Sequence, residues 1–308
     1  MNIIFRHQQC NICGNDVPRR IGSPFIPEGF IKNRVKFPDV SIVRCESCGF
    51  YYIDSMPIEG MAELYDNQYF SSSLTEWWQR ARIEAIPKNR FDIIQKYLKS
   101  VKPRFLEVGC GPGYGMREAK RRNWQIYGQD VTGVFAKKIK NRLGVGIYVG
   151  ELEEANFPEN FFDVIYLDSV IEHVPLPVKM LKEIRRILKL DGLIYIITPN
   201  VDALINRFRD LIFKILGMNK TSRLSPFESP YHIGGFTEHS FKLMSRKNGF
   251  EVRYFKIYSG KNEWRKYTNR DWNIKIRHLF YCPVYLFGEI IGRGITIEAL
   301  ISPKNLGN

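Results

Sequence analysis

The stretch Phe105-Leu106-Glu107-Val108-Gly109-Cys110-Gly111-Pro112-Gly113-Tyr114-Gly115 decides how this 308-residue chain is read. A short apolar run ends in a glycine-rich turn, and a helix-compatible segment follows. Glycines let a backbone pass close to a ligand where any Cβ would collide. The dinucleotide pattern G-x-G-x-x-G fails, because its sixth position is Tyr114, and the P-loop fails because no Gly-Lys-Ser/Thr follows. The pattern that fits is G-x-G-x-G, introduced by the carboxylate of Glu107. A second carboxylate, Asp130, ends the next apolar run, 21 residues after Gly109. An acid at that strand end accepts ribose hydroxyls. The ligand suggested is a nucleoside without a pyrophosphate.

Outward from this turn, strands and helices alternate. Strand patterns at 104–108, 125–130, 146–149, 161–167 and 193–197 are separated by helical ones at 114–122, 134–143 and 178–188. Such alternation implies a parallel sheet covered on both faces, with ligands at the carboxyl ends of the strands. The composition is that of a globular chain, 44% hydrophobic and 14% aromatic, which excludes a wholly disordered one. No uncharged apolar run reaches the ~18 residues of a membrane span, and the first residues lack a secretory signal, so the expected compartment is the cytoplasm. The net charge is +14, with 18 Lys+Arg against 9 Asp+Glu in residues 201–308. A basic excess suits phosphates, anionic lipid or nucleic acid, and equally a merely solvated surface.

Four of the six cysteines form two pairs, Cys10-Asn11-Ile12-Cys13-Gly14 and Cys45-Glu46-Ser47-Cys48-Gly49. Two C-x-x-C turns with trailing glycines read as a closed structural Zn²⁺ site with Cys10, Cys13, Cys45 and Cys48 as ligands. Closed coordination leaves no position for chemistry. Residues 1–55 are thus expected to be a zinc-binding domain with a core too small to fold well alone. Residues 56–100 follow as a helical linker or lid carrying Trp77, Trp78, Phe91 and Ile94, with Tyr65, Tyr69 and Phe70 read as packing residues or as the lining of a substrate entrance.

Residues 105–113 resemble motif I of the class I S-adenosylmethionine-dependent methyltransferases. The resemblance extends through Phe161-Phe162-Asp163-Val164-Ile165, Val170-Ile171-Glu172-His173-Val174 and Leu181 to Gly192, and covers roughly residues 103–260. Leu190-Asp191-Gly192 stands where the family usually has Pro-Gly-Gly. The resemblance implies an α/β fold, a Rossmann-like seven-stranded sheet, mostly parallel with an antiparallel last strand, beside the small zinc-ribbon-like domain. The methyltransferase domain would be residues 101–308, with insertions at about 201–235 and 259–293. It implies S-adenosylmethionine as cofactor: Gly109, Gly111 and Gly113 cradling the methionyl part, Glu107 holding its amino group, Asp130 on the ribose, Glu151 and Leu152 meeting the adenine, and Asp168 touching cofactor or substrate. The paired cysteine turns look like those of zinc-containing sugar methyltransferases, which implies a small-molecule acceptor, a sugar or glycan intermediate linked to nucleotide or lipid.

A hydroxyl or carbon acceptor needs a base. His173 is the first candidate, since imidazole titrates near neutral pH, with Glu172 beside it to orient the ring or to act itself. Its alternative role is a turn residue capping the helix before Pro175. His232, in Tyr231-His232-Ile233-Gly234-Gly235-Phe236-Thr237, is the second candidate. The tyrosine that some sugar C-methyltransferases carry three positions before this histidine is Val170 here. The metal-binding glutamate of some lipid-quinone O-methyltransferases, four before it, is Ser169.

Residues 204–217 form a basic amphipathic helix that either packs on the domain or makes peripheral contact with a membrane. Two competing functions remain at this stage. One is an RNA methyltransferase gripping nucleic acid with its zinc domain, disfavoured by Leu167-Asp168-Ser169-Val170 and by a modestly basic cysteine region. The other is a non-catalytic S-adenosylmethionine-binding partner. The oligomeric state is not legible.

Overall fold

The computed structural model describes residues 4–15, 17–25, 39–60, 65, 88–226, 231–259 and 282–304. The readings that rest on Tyr69, Phe70, Trp77 and Trp78 lie outside these.

The alternating segments form one seven-stranded sheet. Its parallel part comprises β6 (Arg104–Val108), β7 (Gln125–Asp130), β8 (Tyr148–Val149), β9 (Phe162–Asp168) and β10 (Leu188–Pro199). Two C-terminal strands, β13 (Phe250–Tyr258) and β14 (Thr296–Pro303), complete it in the order β13-β14-β10-β9-β6-β7-β8. β14 runs antiparallel to both β10 and β13. The order reverses between β6 and β9, so the carboxyl ends of those two strands flank the natural ligand crevice. The antiparallel last strand was expected.

Strand side chains alternate between two cores, as the twofold period of an extended chain requires. Phe105, Val164, Tyr166 and Tyr195 pack with α1 (Lys88–Tyr97), α2 (Tyr114–Arg121) and α3 (Ala136–Leu143) through Phe91, Met116 and Ile139. Leu106, Ile165 and Ile196 pack on the other face with α4 (Pro177–Ile187) and α6 (Glu238–Lys247) through Leu181, Ile184 and Phe241. Each fully buried Ile, Leu or Phe contributes on the order of 1.5–3 kcal/mol.

The cysteine region contributes β1 (Ile4–His7), β2 (Pro18–Pro24), β3 (Ile42–Cys45), β4 (Tyr51–Ile53) and β5 (Ser55–Glu59). β1 and β5 pair as an antiparallel ribbon. The helical reading therefore fails at its start: residues 56–59 lie in a strand, because Ser55–Glu59 has a pairing partner in β1 that only the fold brings near. Within the expected helical linker, residues 56–100, helix is described only for Lys88–Tyr97.

β2, β3 and β4 form an antiparallel meander that both edges extend with chain from the larger domain. β11 (Lys220–Thr221) lies parallel to β2, and β12 (Gly234–Gly235) antiparallel to β4. Cys10, Ile42, Phe50 and Tyr52 belong to the same buried cluster as Leu106, Ile165 and Leu181. The cysteine region and the large sheet thus share one core, and residues 201–226 and 231–235 contribute the seam. That seam also contains α5 (Leu204–Ile215).

Candidate active site

The glycine turn leaves β6 and enters α2. Gly109, Gly111 and Gly113 have φ of 59°, 45° and 72°, left-handed values that side chains resist. A Cβ on Gly109 would lie 2.7 Å from Val170, whereas one on Gly111 would meet nothing within 4 Å. The turn is therefore packed against the segment after β9 at one end and open in its middle, where a ligand has room. Its amides are fastened to the end of β7. Gly109 N donates to Gln129 Oε1 (3.3 Å), Cys110 N to Gln129 O (2.9 Å) and Gly111 N to Asp130 Oδ2 (2.7 Å). Gln129 also donates to Gly150 O at 2.6 Å, tying three loops together. The sequence reading did not identify Gln129; a polar residue ending an apolar strand beside Asp130 was the available signal.

Glu107 is buried, and each of its carboxylate oxygens accepts an amide at the start of α2, Gly115 N at 3.1 Å and Met116 N at 2.7 Å. It does the work of an N-cap, for which Gly113 has no side chain. Asp130 accepts from Gly111 N, Thr132 N (3.0 Å) and Thr132 Oγ1 (3.2 Å). A carboxylate offers about four acceptor positions, so roughly one remains for a ribose hydroxyl. Burial pushes the Asp130 carboxyl above the ordinary carboxylate value, and the three donors restrain that rise. Glu151 begins the 3-10 turn Leu152–Ala155 in a reciprocal cap with Glu154. Burial, then the neighbouring Glu153 and Glu154, raises its pKa. Leu152 is fully buried in the core.

Asp168 ends β9 in a buried network that the sequence reading missed. Arg90 of α1 donates from Nη1 to Asp168 Oδ2 (3.0 Å) and Tyr166 Oη (3.3 Å), and from Nη2 to Tyr258 Oη (3.2 Å). Its Nε lies 3.4 Å from Glu298 Oε1, which Tyr195 Oη also reaches at 2.8 Å. Five segments far apart in sequence converge here. The visible signal was Glu298 inside the apolar run Ile297–Ile301.

After Asp168 the chain turns sharply, Ser169 having φ of 58°, into a 3-10 turn Ile171–His173. Glu172 is buried, and its Oε2 accepts from Thr198 Oγ1 at the end of β10 (3.0 Å). Its Oε1 lies 3.8 Å from His173 Nε2 and 3.9 Å from His232 Nε2. The two imidazole rings are 4.9 Å apart. The structure thus brings His232 to the Glu172–His173 pair, which the sequence offered apart from it. His173 Nδ1 lies 3.3 Å from the Tyr231 carbonyl and 3.1 Å from the Tyr65 hydroxyl. A carbonyl can only accept, so the Tyr231 contact assigns the ring proton to Nδ1 and the basic lone pair to Nε2. The capping role for His173 is not observed: α4 starts at Pro177 after Leu176, with no side-chain cap. The donors of Glu172, His173 and His232 lie within 4.8 Å of one another, a set that also has the composition of a divalent metal site.

His232 reaches this place on a strap held from both sides. Ile233 N donates to Glu172 O (3.1 Å), and Ile233 O accepts from Ile53 N of β4 (3.3 Å). Gly235 is required here, since a Cβ would lie 2.0 Å from Val201. A second link runs from the first cysteine turn, where Asn11 Nδ2 donates to Pro175 O at 2.8 Å.

The two cysteine turns repeat one geometry. In each, the amide four residues after the first cysteine donates to that cysteine's carbonyl, Gly14 N to Cys10 O and Gly49 N to Cys45 O, both 2.8 Å. Gly14 and Gly49 have φ of 80° and 74°. The four sulfurs lie within 4.8 Å of one another, with Cys10–Cys48 at 3.5 Å and Cys13–Cys45 at 3.3 Å. Those distances exceed a disulfide bond and approach the edge of about 3.8 Å that a tetrahedron with Zn–S bonds of ~2.3 Å requires. The hydrogen bond with the Cys48 sulfur draws the Cys10 thiol below its ordinary value despite its burial. The donor set fits a structural zinc.

Residues 106–196 match the family of methyltransferase domains. Two uncharacterised proteins of Methanocaldococcus jannaschii are 30% identical over 127 residues (41% of this chain, 58% of the relative) and 31% identical over 172 residues (54% and 69%). The chain thus spans little more than half the length of the first. A ubiquinone biosynthesis O-methyltransferase of Coxiella burnetii is 24% identical over 166 residues, covering 51% of this chain and 69% of its own. An S-adenosylmethionine-dependent methyltransferase of Archaeoglobus fulgidus, 16% identical, superposes with a TM-score of 0.50 over 73% of this chain and 98% of its own, a likeness of fold. Sheet order, glycine turn and family match agree: residues 106–196 are a methyltransferase domain, set in a sheet with the class I methyltransferase fold.

Proposed function

We propose that this chain methylates a hydroxyl or acidic carbon of a small-molecule acceptor, a sugar or glycan intermediate carried on nucleotide or lipid, with His173 as general base. The observation that carries the reading is the Glu172–His173–His232 cluster, one turn beyond Val170, which itself packs on Gly109 of the cofactor turn. The cofactor, when bound, supplies an electrophilic methyl group on sulfonium. A nucleophile that must lose a proton needs a base at that place.

In this reading Gly109, Gly111 and Gly113 receive the methionyl part, Asp130 takes a ribose hydroxyl, and Glu107 keeps the α2 amides aligned behind the turn. His173 Nε2 accepts the proton of the acceptor, and the imidazolium so formed is stabilised by Glu172, 3.8 Å away. Tyr231 O holds the Nδ1 proton and so the ring orientation. His232 flanks the same carboxylate and orients the acceptor or shares the proton. The four cysteines hold zinc as a structural ion, which supports the β4 edge that carries the His232 strap.

The O-methyltransferase among the relatives supports a small-molecule acceptor. The experiment is transfer of labelled methyl from S-adenosylmethionine into fractionated cell extract. Label in nucleotide-sugar or glycolipid fractions is the expected result. Label in RNA would sink the proposal, as would full activity of His173→Ala on the identified acceptor.

A further inference from the structure

Among the described residues, fourteen large hydrophobic side chains are exposed, and seven of them fall on two neighbouring helices. Three are Leu211, Ile215 and Leu216 at the end of α5. Four belong to the helix at 282–290 and its last turn, Phe287 and Ile290 among them. Ile215 is 75% exposed and Ile290 80%. The two helices are fastened to each other. Leu204 N donates to Arg293 O at 3.0 Å, and Gly288 sits so close that a Cβ would lie 3.1 Å from that of Leu204.

α5 is not loosely held. Ile205 is buried, Phe213 packs on Phe25 with ring centres 4.8 Å apart, and Asp210 accepts from Thr221 (2.7 Å) and Arg223 (2.6 Å). One side is anchored in the seam while the apolar end of the helix stays in water. Scattered exposed apolar residues need no explanation, but a cluster on two fastened helices does.

Charge identifies the occupant. Arg209 and Lys214 lie on α5 and Lys220 follows it; Arg207 is paired with Asp202, the one acid of the helix, Asp210, is neutralised by Arg223, and Glu289 of the second helix accepts from Ser259 N. Residues 201–308 carry 18 Lys+Arg against 9 Asp+Glu. A second copy docking by twofold symmetry would place this basic flank against itself, which repels. An anionic lipid surface accepts both the apolar side chains and their basic flank.

We propose that α5 and the helix at 282–290 together form an interfacial docking face for an anionic membrane surface. No helix among the described residues is long and apolar enough to cross a bilayer. α5 starts five residues after the carboxyl end of β10, so docking holds the site end of the sheet towards the bilayer. The docking face is independent of which acceptor is methylated.

The test is co-sedimentation of the full chain with vesicles of phosphatidylcholine alone or mixed equally with phosphatidylglycerol. Binding is expected to the mixed vesicles, to weaken severalfold between roughly 0.1 M and roughly 0.5 M salt, and to fall about tenfold or more in both Leu211→Ser/Ile215→Ser and Phe287→Ser/Ile290→Ser. S-adenosylmethionine affinity, unchanged in both variants, certifies their fold. Wild-type protein that stays in the supernatant overturns the proposal, as does equal binding by both double variants. A wild-type dimer that these serines dissociate to monomers also overturns it, by seating a second copy on this face.

Discussion

The cofactor turn and the Glu172–His173–His232 cluster are built in opposite ways. The turn is nearly all local: residues 107–116 bind their own amides and the end of the next strand, through Glu107, Gln129 and Asp130. The histidine cluster is assembled from two distant segments, and one of them, the strap at 231–235, is held against β4 of the cysteine region. A local device should survive damage to distant parts of the molecule. An assembled one should not.

Metal removal tests that difference with the largest effect. Chelation, or Cys45→Ser, is expected to release β4 and the strap, to abolish methyl transfer, and to lower Tm by roughly 10 °C or more. S-adenosylmethionine binding by calorimetry should persist where the sheet stays folded. If activity survives in a metal-free preparation with the four thiols reactive, the strap does not depend on the cysteine site and the contrast fails.

His173→Ala separates the two regions from the other side. Its kcat is expected to drop by about 10²–10⁴ with cofactor Kd unchanged. Glu172→Gln should lower kcat less, because it keeps a partner for Thr198 but loses the charge beside the ring. A matched loss of cofactor affinity in His173→Ala would show that the turn and the cluster are one unit.

Asp130→Ala is expected to weaken cofactor binding about tenfold to a hundredfold, at ~1.5–3 kcal/mol per hydrogen bond to a charged group. The pH dependence has a definite sign. The Asp130 pKa is raised above 3.8 in the folded protein, so cofactor affinity should begin to fall on acidification at a pH above that value. Fluorescence titration from neutral pH downward reads this. Affinity constant down to pH 3.8 would remove Asp130 from the ribose subsite.

The smallest effect concerns the seam. Asp202 accepts from Arg207 at 2.7 Å and pairs with Arg293, and these cations hold its carboxyl below the ordinary value against the opposing pull of burial. A depressed carboxyl contributes stability above its unfolded pKa that is lost as pH falls through the folded one. Asp202→Asn should therefore cost about 1 kcal/mol at neutral pH and less in strong acid, by urea melts at both. An unchanged difference at low pH would assign the loss to packing.

Much of the site was legible because its chemistry lies in contiguous residues. The spacing from Gly109 to Asp130 follows from one strand–turn–helix–strand passage, and each C-x-x-C turn is a five-residue object. Glu172 and His173 were legible together for the same reason. Arg90 was not: its partners Asp168, Tyr258 and Glu298 lie 78 or more residues away, and a lone arginine on an amphipathic helix reads as solvated. Residues 56–59 were misread because helical propensity is a weak prior where a partner strand decides. The stripe at 204–217 was visible as amphipathic, but periodicity cannot say which apolar residues find a neighbour.

By itself the sequence determined the class of sheet, the glycine turn and the two cysteine knuckles, since each depends on backbone freedom and side-chain type at fixed short spacing. Only the tertiary structure decided that Glu172 lies between two histidines 59 residues apart in the chain, that Arg90 is buried among acids and tyrosines, and that the cysteine region shares a core and a sheet with the methyltransferase domain. Those results depend on which distant surfaces meet when apolar area leaves water, a global competition that no short window of residues records.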